Sequence, residues 1–225
     1  MTGTQERAIV IGSSGGIGSA LAAALETRGT EVTRLSRREH RLDVTDEASV
    51  ERHLGALEGS FDLILVATGA LCPEGAAPEK TLKSLDPAQV MQQMAINALG
   101  PALVLKHAMR LLPRDRRAVF AALSARVGSI GDNRLGGWYS YRASKAALNQ
   151  MIRTASVELA RTHKQLACVA LHPGTVATPF TAEYLGRHPA VPPEEAAQNL
   201  LSVLDGLGPE ETGRFFDWAG KEVVW

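Results

Sequence analysis

Four apolar residues, Ala8, Ile9, Val10 and Ile11, run without a break into Gly12-Ser13-Ser14-Gly15-Gly16-Ile17-Gly18, and an amphipathic stretch follows at once. Few local patterns restrict a backbone more. A short apolar run bounded by glycine reads as a buried strand, and a face of Leu21, Ala24 and Leu25 makes residues 17–28 a helix. The glycines between them let the chain turn sharply and bring its backbone close to another group. The helix start adds unpaired N–H groups and the positive end of a dipole. Strand, glycine turn and helix in that order form a cradle for a diphosphate. Gly12, Ser14, Gly16, Ile17 and Gly18 are the candidate contacts; the plainer alternative is a glycine-rich βα turn with no ligand.

The alternation of apolar and amphipathic stretches continues to the end of the chain. Residues 31–35, 41–44, 61–67, 119–123 and 166–171 read as strands, with 214–216 as an edge strand. Residues 46–57, 87–112 and 192–204 read as helices, the first capped by Thr45. Run 61–67 is apolar almost throughout, as expected when both faces of a parallel sheet are covered. No repeat, low-complexity segment or linker interrupts the series. The expected fold is α/β: a single doubly wound Rossmann-type domain over residues 1–225, with a mostly parallel sheet flanked by helices.

Composition removes several classes of function. Lys plus Arg and Asp plus Glu both number 24, so the formal net charge is zero, which argues against a nucleic-acid or anionic-membrane surface. No apolar run approaches the roughly 20 residues that span a bilayer, and polar residues 1–7 carry no signal-peptide pattern. The two cysteines, Cys72 and Cys168, read as reduced thiols, and the expected location is cytoplasmic. His40, His53, His107, His163 and His188 share no metal-ligand spacing and read as surface or capping residues; His172 reads as a packed strand-end side chain. No metal is expected.

Chemistry concentrates at Tyr141-Arg142-Ala143-Ser144-Lys145. Ala146, Ala147, Leu148, Met151, Ile152, Ala155 and Leu159 recur behind it at helical spacing, so Tyr141 and Lys145 share one helix face. An ammonium there is expected to draw the phenol below its ordinary pKa of about 10 and make it an acid/base at a carbonyl or alcohol oxygen. The alternative is a packed Tyr and a solvated Lys. Tyr139 should face another way, and Trp138 either roofs the substrate site or packs the loop. After the second strand, Ser36-Arg37-Arg38 offers no carboxylate to a ribose. A guanidinium at Arg37 matches a 2′-phosphate, which favours NADP over NAD; the alternative is a solvated turn. Asp43 and Val44 either meet the adenine edge or, for Asp43, only begin a turn.

With Gly12-x-x-x-Gly16-x-Gly18 at the start and Tyr141-x-x-x-Lys145 after strand 119–123, the chain resembles the short-chain dehydrogenase/reductase family over essentially its whole length. Residues 124–132 and the approach Gly136-Gly137-Trp138-Tyr139-Ser140-Tyr141 resemble its C-factor-like branch, which includes carbonyl reductases and proteins named for intercellular signalling. The resemblance implies hydride transfer between NADP(H) and a small carbonyl or alcohol substrate. It implies Tyr141 as acid/base, Lys145 on nicotinamide-ribose hydroxyls, and Asn97 holding a proton-relay water. Asp43-Val44 corresponds to the adenine-side pair, and Pro173, Gly174, Val176 and Thr178 to the motif at the nicotinamide end. It also implies a homodimer or homotetramer paired through the two long helices, and a substrate lid near residues 179–192 that includes Phe180, Tyr184 and Leu185 and is short enough for an open pocket.

Three positions depart from the family pattern. Ile11 stands where many relatives carry Thr. Ala67-Thr68-Gly69-Ala70 replaces Asn-Asn-Ala-Gly; Ala67, Thr68 and Gly69 keep the close backbone passage past the adenosine. Ala125 occupies the position of the catalytic serine. A one-residue shift of the loop would bring Ser124 into place, with Ser129 as the other nearby hydroxyl. The competing expectation is a dinucleotide-binding regulatory or signalling protein with weak or no turnover; a nucleotide-sugar epimerase or dehydratase has too little chain after Gly174 for its substrate domain.

Overall fold

The structure is a computed structural model that describes residues 5–71, 73, 77–181 and 189–225. Cys72, Gly75, Tyr184, Leu185 and His188 lie outside the described residues, as does the middle of the expected lid.

Strands β1 (Arg7–Ile11), β2 (Glu31–Leu35), β3 (Leu63–Val66), β4 (Ala118–Leu123), β5 (Leu166–His172) and β6 (Phe215–Asp217) form one parallel sheet in the order β2-β1-β3-β4-β5-β6. The order reverses between β1 and β3, so a crevice opens beyond their carboxyl ends. The register aligns those ends: Ile11 pairs with Leu35 and Val66, Val66 with Ala122, and Leu123 with Leu171.

Successive residues of a strand point to opposite faces, and here both faces are apolar. Ala8, Val10, Leu63, Leu65, Val169 and Leu171 pack with Leu21, Leu25, Leu200, Leu201 and Leu204 from helices α1 (Gly16–Thr27) and, near the C-terminus, residues Pro193–Asp205. Ile9, Ile11, Ile64, Val66, Phe120 and Cys168 pack on the other face, against Val50, Leu54, Val104, Leu148, Ile152 and Leu159. Between α1 and the C-terminal helix the chain forms α2 (Arg37–His40), α3 (Glu47–Gly55), α4 (Pro87–Met94), α5 (Gly100–Ala108) and α6 (Tyr139–Leu159); the C-terminal helix is α7. No described helix is long and apolar enough to cross a membrane.

Three expectations are corrected. Residues 41–44 are not a strand. Ser36 caps α2 by accepting the Glu39 N–H at 3.2 Å, Arg41 follows at φ 60°, and Leu42 returns its N–H to Ser36 O at 3.2 Å. Leu42 and Val44 are buried all the same, and that alternation imitated a strand. Asp46, not Thr45, caps α3, accepting the Ala48 N–H at 3.2 Å, while the Thr45 hydroxyl donates to Asp43 at 2.7 Å. The helix expected over 87–112 is interrupted by a π-helical segment, Ala95–Leu99, and ends in a 3₁₀ turn, Met109–Leu111.

Candidate active site

The glycine turn is built from close approaches. Gly12 has φ 89°, and a Cβ on it would lie 2.9 Å from the Ala67 carbonyl carbon. A Cβ on Gly18 would lie 2.3 Å from Gly12 O, and one on Gly16 would lie 2.6 Å from Thr178 Cγ2. The third glycine thus lets α1 seat against the turn, and the second lets the segment after β5 cross it. Gly12 N–H and Ser13 N–H both donate to Leu35 O, and the buried Ser13 hydroxyl does so at 3.2 Å. The turn is thereby tied to the end of β2, a role for Ser13 that its place beside more prominent glycines concealed. Gly15 caps α1 without a side-chain hydrogen bond, which leaves first-turn N–H groups facing the crevice beside Ser14 and Ile17.

At the tip of β2, the Arg37 guanidinium makes no ion pair or hydrogen bond among the described residues, whereas Arg38 pairs with Glu39 at 3.3 Å. Asp43 Oδ1 accepts the Thr45 hydroxyl and N–H; those bonds, with a smaller contribution from Arg37, hold its carboxyl below the ordinary value. Val44 is buried against Gly100, where a Cβ would meet its Cγ2 at 2.8 Å.

The π-helical segment carries Asn97 into the interior. Its Oδ1 accepts the Ala70 N–H at 2.8 Å, and its Nδ2 reaches Ala70 O at 2.8 Å, Ser144 Oγ at 3.0 Å and Gln93 Oε1 at 3.3 Å. Ser144 in turn donates to Tyr141 O at 2.9 Å, and Gln93 Nε2 donates to Leu71 O at 3.0 Å. This network locks α6 to the strand-end loop at Ala67–Ala70, a segment whose buried Thr68 hydroxyl has no partner among the described residues. A Cβ on Gly69 would lie 3.3 Å from Asn97 Oδ1 and 3.4 Å from Lys145 Nζ, so glycine is what permits their convergence. Gln93 and Ser144 were not anticipated. An i, i+4 relation of Gln93 to Asn97 was the available signal.

Tyr141 and Lys145 are both buried on one face of α6, with Lys145 Nζ 5.9 Å from the Tyr141 ring centre and donating to Leu123 O at 2.8 Å. The expected lowering of the phenol pKa is not found. Burial pushes Tyr141 upward and pulls Lys145 down to about 7, because each loses solvent for its charged form. The ammonium is aimed at a backbone carbonyl, so its effect on the phenol does not offset that loss.

Trp138 lies edge-on to Tyr141 with ring centres 6.2 Å apart, and Phe180 flanks Tyr141 at 6.2 Å on a tilted plane. Tyr139 is partly exposed on another face. Ser124 continues the register of β4, its N–H donating to Leu171 O at 2.7 Å. Its hydroxyl donates to Asn149 Oδ1 at 2.6 Å, and Ser129 Oγ accepts the Asp132 N–H at 3.0 Å. Neither hydroxyl hydrogen-bonds to Tyr141 among the described residues. Pro173 and Gly174 follow β5, with Gly174 at φ 79° beneath Trp218, and Val176 bridges to Val191. His172 is half-buried, its Nδ1 has no hydrogen-bond partner among the described residues, and burial, then the Arg126 charge, draw it down to about 4. Among the described residues no three His, Cys, Asp or Glu side chains are grouped to hold a metal.

A parallel sheet with a glycine cradle at its switch point and a buried Tyr–Lys pair at the carboxyl ends defines a nucleotide-binding α/β fold of Rossmann type. The sequence pattern of the short chain dehydrogenase family matches residues 6–187, and the chain belongs to that family of oxidoreductases. A 1-hydroxy-2-glutathionyl-2-methyl-3-butene dehydrogenase of Rhodococcus sp. (strain AD45) is 32% identical over 232 residues, covering 96% of this chain and 98% of the relative. C-signal of Myxococcus xanthus is 38% identical over 144 residues, 64% of this chain and 83% of that protein. Among solved structures, a short-chain dehydrogenase/reductase from Burkholderia multivorans with bound NADP superposes with TM-score 0.80 at 26% identity, covering 98% of this chain and all of that one (100%). An NADPH-bound carbonyl reductase from chicken fatty liver shares the fold at TM-score 0.83 and 23% identity, covering 98% and 99% of the two chains.

Proposed function

We propose that this protein is an NADP(H)-dependent carbonyl reductase or alcohol dehydrogenase acting on a small organic substrate. The observation that carries the reading is the convergence of buried Tyr141, Lys145 and Asn97 at the carboxyl end of the sheet.

The crevice fits a dinucleotide: the glycines are packed so closely that a Cβ would collide, the helix start has no side-chain cap, and the Thr68 hydroxyl has no partner among the described residues. Gly12, Ser14, Gly16, Ile17 and Gly18 would hold the diphosphate, Arg37 a 2′-phosphate, Asp43 and Val44 the adenine side, and Ala67, Thr68 and Gly69 the adenosine passage. Pro173, Gly174, Val176 and Thr178 would face the nicotinamide end, with Tyr141 and Lys145 at the ribose. The bound cofactor supplies the hydride.

The chain's own contribution is proton management. Burial keeps Tyr141 protonated at neutral pH, so the phenol is ready to donate to the oxygen of a carbonyl under reduction. Lys145, whose pKa burial draws down to about 7, helps when protonated to stabilise the negative charge left on that side. Asn97 fixes the loop and helix that hold both. Since Ala125 has no hydroxyl and Ser124 is committed to Asn149, Tyr141 is the principal donor to the substrate oxygen.

A shallow groove of about 220 Å³ between α5 and α6, lined by Ala102, Leu105, Met109, Met151 and Ala155, suits pairing of two copies; light scattering is expected to give a dimer or tetramer. Ala125 favours one second reading, a dinucleotide-binding regulatory protein with weak turnover. Titration of NADPH and NADH against Trp fluorescence, then NADPH oxidation with aryl ketones, aldehydes and α-diketones, separates the two. Preferential NADPH binding with oxidation is expected. Tight binding without turnover of any acceptor supports the regulatory reading.

A further inference from the structure

Helix α6 begins in an unusual way. Its N-cap position, where Ser, Thr, Asp or Asn would satisfy a first-turn N–H, is occupied by Trp138 in the left-handed region at φ 53°, with no side-chain cap. The cap comes from elsewhere. Glu79, in the loop between β3 and α4, is only 3% exposed, and its Oε2 accepts the Ser140 N–H at 3.3 Å while its Oε1 accepts the Ser140 hydroxyl. The Glu79 main-chain carbonyl also accepts the Trp138 N–H. One residue therefore holds both neighbours of Tyr139, and the second of them, Ser140, directly precedes Tyr141.

No Lys, Arg or His lies within ion-pair distance of this carboxylate among the described residues, although an unpaired buried charge is costly. What faces it is the first turn of a 21-residue helix, whose dipole favours an anion there. A cap within α6 would be simpler, but it would displace Trp138, whose ring stands 6.2 Å from that of Tyr141. The arrangement frees the cap position for an aromatic wall and moves the capping to a distant loop.

We propose that Glu79 is a positioning residue for Tyr141: it sets the first turn of α6 and the Trp138 ring, and so couples the β3–α4 loop to the proton donor. The inference rests on the reading of Tyr141 as the acid. Its test uses Glu79→Gln, which keeps volume and one acceptor, and Glu79→Ala, assayed beside Tyr141→Phe with NADPH and the best acceptor among acetophenone, benzaldehyde and 2,3-butanedione. Glu79→Gln is expected to remain folded, to bind NADPH within about twofold of the parent, and to lose about tenfold in kcat with an altered pH–rate profile. Glu79→Ala is expected to lose more, and Glu79→Gln to stand between it and the parent. Folded Glu79 variants with parental kcat and pH profile would overturn the proposal. So would a loss of activity that merely tracks the unfolded fraction. If Tyr141→Phe retains turnover, or no acceptor is turned over by the parent, the reading of Tyr141 fails and takes this inference with it.

Discussion

Replacing Asn97 by Ala tests the network that joins the strand-end loop to α6. The side chain is fully buried and makes three good hydrogen bonds, two to the main chain of Ala70 and one to Ser144, besides a longer one to Gln93. A net contribution of about 1 kcal/mol per bond gives about 3 kcal/mol, and a little more where a buried partner is left unsatisfied. For a chain of this size each kcal/mol moves Tm by about 2–4 °C, so a fall of about 6–12 °C is expected. Activity should fall further than stability, because the same bonds fix the loop beside Lys145 and the helix turn of Tyr141. Thermal melting by circular dichroism, with steady-state NADPH oxidation well below the melting range, reads both. A variant that melts within about 1 °C of the parent and keeps its kcat would refute the view that this amide locks the site.

Three other perturbations follow from the same geometry. Gly18→Ala places a Cβ 2.3 Å from Gly12 O, a backbone atom that cannot swing away; a stability loss of about 1–3 kcal/mol and at least tenfold weaker NADPH binding by fluorescence titration are expected. Ala125→Ser adds a donor beside the proposed substrate oxygen and should raise kcat about tenfold or more, with unchanged kcat counting against a role for that position. Lys145 carries a folded-state pKa of about 7 against about 10.4 unfolded, so between those values the unfolded chain binds more protons. The contribution of Lys145 to stability is therefore largest above the upper value and falls as pH drops to about 7, by up to about 5 kcal/mol. Denaturant melts of Lys145→Met should lack that slope, and parallel pH curves for the two proteins would contradict the shift.

Much of the frame was legible because it rests on local patterns. The β1–glycine–α1 unit, the apolar strands and the 3.6-residue period behind Tyr141 each specify their own conformation. Residues 41–44 misled because burial of Leu42 and Val44 alternates as in a strand, while Ser36 and Asp43 capture the backbone into turns. The π-helical segment was hidden, since it depends on Asn97 finding the main chain of Ala70, 27 residues away. Glu79 was equally hidden: its partner Ser140 lies 61 residues on, and no spacing rule joins them. The pKa of Tyr141 was misjudged in sign, because sequence spacing reports the nearness of Lys145 but not the depth of both groups or the carbonyl of Leu123 that takes the ammonium.

The measurement closest to the central claim is the turnover of Tyr141→Phe. The substitution removes one oxygen from a buried ring and leaves the packing against Trp138 and Phe180. With NADPH affinity held within about twofold, loss of the proton donor should lower kcat by about 10²–10⁴. A folded variant that binds NADPH and reduces the same carbonyl at the parental rate would show that the acid lies elsewhere.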